Sequence, residues 1–176
     1  MSDSSPTPRQ VGYVIGRAIQ HSRIERLADA AASGTLSAAS IDREHLARAF
    51  FVLAAAAAMD AIRSADLTST VESQLLQGLF DWCKEYSSHQ NAIARDEVVQ
   101  AADRYASAAQ DEAASSKPPG SFTELELEFI DGLIALGPQD TARVRACVEL
   151  GAVVPAHLWP AQRKSALEAL AQAGFR

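Results

Sequence analysis

Apolar residues recur at helical spacing in almost every segment of the chain, and no run alternates in the manner of a half-buried strand. The pattern predicts an all-α protein of about six to eight helices. Val11, Val14, Ile15, Ala18 and Ile19 share one face of a helix that opens near Arg9. Ile24, Leu27, Ala28 and Ala31 fall on roughly the opposite face, so a break is expected near His21 and Ser22. Gly12 and Gly16 lie one turn apart and leave a strip almost bare of side chains, which suits close packing against another helix. The next helix is expected over 41–65, with Ser40 as its N-cap. Between positions 47 and 62 only Arg48 and Asp60 interrupt its apolar surface. A helix apolar on every side must be enclosed on every side. This Ala-rich segment is therefore the predicted centre of an irregular bundle.

Ser69 and Glu72 form a capping-box pattern ahead of a helix with a wide apolar arc, Val71 to Tyr86. A helix over 91–114 places Val98, Ala102, Tyr105, Ala106 and Ala109 opposite a charged face. The SSKPPGS segment at 115–121 cannot continue a helix. It divides the chain into a polar, disordered tail (1–8), an N-terminal bundle (9–114) and a C-terminal helical subdomain (122–176) packed on it. In the C-terminal part, Ser121 with Glu124 predicts a second capping box, Gly137-Pro138 a stop, and Gly151 and Gly174 two further helix ends. VVPAHLWP reads as an apolar loop, with Pro160 opening the last helix and Trp159 plugging the C-terminal part onto the rest. The segment RVRACVELGA, 143–152, resembles the second helix of an ankyrin repeat over ten residues. The Thr-Pro-Leu-His turn is absent and no repeat of about 33 residues follows, so nothing carries over from it.

Charge narrows the field of functions. The 176 residues include 16 basic and 22 acidic ones, a formal charge of -6 and a pI near 5.2. Nucleic-acid binding rests largely on neutralising phosphates with Lys and Arg. A net acidic chain without a basic run is expected to bind neither nucleic acid nor an anionic membrane surface. A helix-turn-helix over 24–51 would need the enclosed helix as its reading head, which cannot enter a groove. The most apolar stretch, 49–59, is eleven residues, short of the roughly 20 that span a bilayer. With no signal-peptide pattern in the first residues, the expected location is the cytoplasm.

Sequence signatures of chemistry are missing. There is no GxSxG, HExxH, P-loop or GxGxxG, and no pair of Glu-x-x-His motifs. Cys83 and Cys147 lie far apart among apolar residues and read as reduced, buried thiols. Asp81, Glu85 and His89 share a stripe that could bind a divalent ion, but it falls on a polar face and reads as solvated. No metal or cofactor is expected. Asp60 lies in the enclosed helix and needs a partner, with Arg63, Ser64, Arg17 and Arg48 as candidates. Glu124, Glu128 and Asp131 form an acidic stripe to which Glu126 adds charge. Trp82, at the edge of its apolar arc, suits either a lid over the core or an anchor for a partner.

Two readings follow. The first is a non-catalytic cytoplasmic protein that binds another protein, with a basic partner as the expectation, through Trp82, Glu124, Glu128 and Asp131. Bacterial immunity and inhibitor-type proteins, often small, acidic and motif-free, are the analogy. The alternative is a helical ligand-binding module or enzyme with a pocket near Asp60.

Overall fold

The computed structural model describes residues 5–19, 24, 26–30, 43–87, 93–114, 118, 120–135 and 140–175. Among them lie seven helices and no strand: α1 (Pro8–Ala18), α2 (Arg43–Ser64), α3 (Ser69–Ser87), α4 (Arg95–Ala114), α5 (Glu124–Ala135), α6 (Thr141–Gly151) and α7 (Val154–Gln172). Residues 26–30 are helical as well.

The all-α bundle around a central Ala-rich helix is what the structure shows. Every residue from Phe50 to Met59 is buried, a run of ten without interruption. Helices α1, α3, α4, α5 and α7 all touch α2, with α7 and α4 packed along most of its length. Its five successive alanines let these neighbours approach closely. By length and hydropathy α2 is also a possible membrane span, but 78% of its most apolar window is buried within the bundle. Helix α5 packs on α4, and α6 on α5.

Helix α1 lies across α3 at very short range. A Cβ on Gly12 would sit 1.9 Å from the Leu75 carbonyl oxygen, and one on Gly78 would sit 2.0 Å from that of Arg9. A Cβ on Gly16 would meet the Trp82 side chain at 2.9 Å, a less severe approach. Val11, Ile15 and Ile19 point inward, whereas Val14, expected on their face, is 56% exposed. At the rim, Asp81 receives Arg9 at 2.7 Å, and Glu85 accepts a hydrogen bond of 2.5 Å from Tyr13.

Several expected boundaries move. Thr7 caps α1 in a capping box with Gln10, so Pro8 opens the helix rather than ending a tail. Thr68, not Ser69, caps α3: its hydroxyl accepts from the Val71 N–H at 3.5 Å. Thr123 and Glu126, not Ser121 and Glu124, form the box at α5, with bonds of 3.1 and 2.7 Å. Neighbouring hydroxyl and acidic residues make such shifts of register hard to see in sequence. Helix α6 ends at Gly151 as expected, but the glycine is itself helical and buried rather than left-handed; a Cβ there would lie 2.0 Å from Ile130. Gly174, with φ of 83°, does end α7.

The largest correction concerns VVPAHLWP, which is helix, not loop. Pro155 occupies the first turn of α7 and Pro160 lies inside it. An interior proline costs about 3 kcal/mol in an isolated helix. Here Val154, Leu158 and Trp159 are all buried by the same turns, and that burial outweighs the cost. Trp159 meets Tyr105 of α4 edge-on at 5.9 Å. The expected break at His21 and Ser22, the Ser40 cap, the Gly137-Pro138 stop, most of the 115–121 linker and residues 1–4 of the tail lie outside the described residues.

Candidate functional site

The acidic stripe on α5 forms one wall of a cleft. The Thr123–Glu126 box fixes where α5 starts, and Leu125, Phe129, Ile130 and Leu133 turn its apolar side inward. Glu124, Glu128 and Asp131 are thereby carried along a single wall together with Leu127. The opposite wall is α4, which contributes Asp103 and Asp111 with Arg104 between them. The space between is about 620 Å³ and open to solvent. Five carboxylates and one guanidinium line it. Arg104 bonds Glu128 at 2.7 Å, and Arg63 reaches Asp103 at 2.5 Å from α2. Asp111 and Asp131 are exposed and pair with no described residue. A cleft lined by one sign of charge concentrates field and raises the local density of cations.

A smaller chamber of about 150 Å³ adjoins the cleft at Arg104. Arg48, Ala49 and Val52 of α2 form its floor. Glu97 and Tyr105 come from α4, and Phe129, Gly132 and Leu133 from α5. Arg48 is ion-paired with Glu97. Tyr105 is 6% exposed, and its hydroxyl makes no hydrogen bond to a described residue. Burial pushes the Tyr105 pKa up to about 12, so the phenol keeps its proton. The hydroxyl oxygen itself is not sealed off, so it is reached from the chamber rather than orphaned in the core. Gly132 is the other unusual lining residue: the nearest heavy atom to a Cβ built there is the Tyr105 hydroxyl oxygen, 4.0 Å away. No packing contact requires glycine at this helical position, where it is worse than alanine by roughly 1 kcal/mol.

The structure also locates the remaining candidates. Asp60 is held by Arg163 of α7 through a 2.8 Å ion pair, and the same guanidinium donates to Ser64 at 3.0 Å. Of the expected partners only Ser64 takes part; Arg63 and Arg48 are engaged by Asp103 and Glu97. Asp60 lines neither the cleft nor the chamber. Trp82 is 8% exposed, stacks on Phe51 with ring centroids 5.4 Å apart, and lies over Gly16. It belongs to the core, because α1 covers the arc edge that the sequence left open, and it is absent from the surface expected to receive a partner.

Asp81 and Glu85 meet Arg9 and Tyr13, while His89 lies outside the described residues. No group of three potential metal ligands occurs among the described residues. Neither cysteine is in a disulfide and both are buried, with Cys83 pushed up to about 12 by desolvation.

Arg143 escaped the sequence reading. It is 4% exposed and donates to the Leu133 carbonyl at 3.1 Å, near the C-terminal end of α5. Its positive charge suits the negative end of that helix and ties α6 to the wall of the cleft. No protein-family model matches the chain, and no curated protein or solved structure matches it.

Proposed function

We propose that the protein acts without chemistry of its own, by receiving a basic segment of another protein in the cleft between α4 and α5, as an inhibitor or immunity-type protein would. One observation carries this reading: two consecutive helices, α4 and α5, bring five carboxylates and a single arginine to one open cleft. Complementary charge across such a surface speeds encounter and sets register. Asp60 is held by Arg163, and the open groove of about 410 Å³ that Arg163 borders on α7 does not include Asp60, so the pocket-centred alternative has less support.

The test is anisotropy of a short fluorescein-labelled lysine–arginine peptide titrated with the protein at low and physiological salt. Binding is expected to weaken as salt rises. Asp111→Asn with Asp131→Asn removes two exposed charges that pair with no described residue. At about 0.7 kcal/mol per exposed charge, affinity falls about tenfold. Asp66→Asn with Glu72→Gln, two acidic residues that do not line the cleft, serves as the control. Equal losses from both double variants would mean that net charge, not the cleft, attracts the peptide.

A further inference from the structure

We infer that the chamber beside the cleft is a specificity pocket, which seats one uncharged side chain with an oxygen acceptor at its tip, of glutamine size, from the basic segment bound outside. The inference rests on the reading of the cleft given above and adds what that reading lacks, a means of telling one basic segment from another.

Three observations converge on the chamber. The first is size. At about 150 Å³ it falls below the roughly 300–1,000 Å³ of sites that enclose whole small molecules, so it suits a single side chain. It adjoins the larger cleft at Arg104, so an occupant of one can reach into the other.

The second is chemistry. Ala49, Val52, Phe129 and Leu133 give the chamber apolar walls. Its charged groups are already paired, Arg48 with Glu97 and Arg104 with Glu128. An entering charge would lose water without gaining a free counter-ion. The Tyr105 hydroxyl, in a residue only 6% exposed, is the lining polar group that bonds no described residue and is open to an occupant of the chamber. A neutral phenol donates its proton, so the matching tip carries an acceptor oxygen.

The third is access. At Gly12, Gly16, Gly78 and Gly151 a Cβ would collide with a neighbour, and glycine is needed for packing. At Gly132 no such neighbour exists, and the missing side chain leaves open the approach to the Tyr105 hydroxyl. Glycine at this point works against the helix and in favour of an opening.

The experiment uses the full chain and the same labelled lysine–arginine peptide, with one central residue set to Gln, Leu, Gly, Lys or Glu. The Gln peptide is expected to bind about fivefold tighter than the Gly peptide, the value of one hydrogen bond with some apolar burial, and tighter than the Leu peptide. Glu at that position should give no gain over Gly, and Lys only the salt-sensitive gain of one added charge, about threefold at low salt and fading as salt rises. Tyr105→Phe, which keeps the ring and its packing, should erase the preference of Gln over Leu. Gly132→Leu, which fills the opening on a helix that accepts the change, should bring the Gln peptide down to the Gly peptide. Methyl NMR signals of Val52 and Leu133 should move with the Gln peptide and stay still with the Gly peptide. A preference for Leu or Glu over Gln, or for Lys over Gln at physiological salt, overturns the proposal, as does a Gln advantage that survives Gly132→Leu. If all five peptides bind alike and salt weakens them alike, the chamber holds water only, and the inference fails while the charge reading stands. If none binds, the charge reading fails and takes this inference with it.

Discussion

Replacing Gly78 with alanine tests the packing logic of the whole bundle, because two effects of known size act in opposite directions. In an open helix, Gly→Ala stabilises by roughly 1 kcal/mol. At Gly78 the added Cβ would lie 2.0 Å from the Arg9 carbonyl oxygen, whereas ordinary contact begins at 3.4 Å. The obstacle is backbone, so no rotamer change relieves it. Helix α1 must retreat by about 1.4 Å from α3 to restore ordinary contact. A gap of 0.5–1 Å already forfeits a quarter to a half of the dispersion well, and Val11, Ile15 and Ile19 bury their side chains through this contact. At roughly 1.5–3 kcal/mol for each fully buried side chain, a partial loss over three of them comes to about 2–3 kcal/mol.

The net expectation is destabilisation by about 1–2 kcal/mol, which lowers Tm by roughly 2–8 °C for a chain of this length. Gly132→Ala is the control: the same substitution in a helix, with no atom nearer to the new Cβ than the Tyr105 hydroxyl at 4.0 Å. It should raise Tm by roughly 2–4 °C. Thermal and urea unfolding followed by far-UV circular dichroism read both. If Gly78→Ala is as stable as the parent or more so, α1 does not cross α3 at this distance and the account of the crossing fails.

Ala56→Asp should leave no folded protein, since Ala56 is fully buried in α2 and an unpaired carboxylate there costs several kcal/mol. A soluble variant with native circular dichroism would show that the helix is not enclosed. Alkali should also destabilise the fold. Cys83 and Tyr105 have folded-state pKa values of about 12, above ordinary values of 9.0 and 10.0. Below about pH 9 both groups are protonated, folded or unfolded, and their contribution is fully present. Above it the unfolded chain gives up protons that the folded chain keeps, so stability falls by about 1.4 kcal/mol per pH unit for each group past its unfolded pKa. Urea midpoints should therefore drop from about pH 9, with Tyr105→Phe reducing the part that begins near pH 10, to which Tyr13 bonded to Glu85 also adds; midpoints flat up to about pH 11 would contradict the burial of both groups.

Much of this architecture was legible before any coordinates. A segment that is apolar around its whole circumference leaves no surface for water, so α2 had to be enclosed, and the ten residues from Phe50 to Met59 are. Glu124, Glu128 and Asp131 share a face by helical periodicity alone, and the paired glycines of α1 announced a close crossing. What could not be read was which surfaces meet. The second acidic wall comes from Asp103 and Asp111 on another helix, and Asp60 finds Arg163, 103 positions away. Trp82 looked like an edge residue until α1 covered it. Pro160 looked like a helix start because its local cost is visible in sequence, whereas the burial of Trp159 and Leu158 that offsets it is not. Periodicity acts within one helix and is written in neighbouring residues, so the chain alone determines its helices and the faces they must hide. Clefts, chambers and ion pairs between helices depend on how those faces are matched across long stretches of chain, and packing in three dimensions decides that.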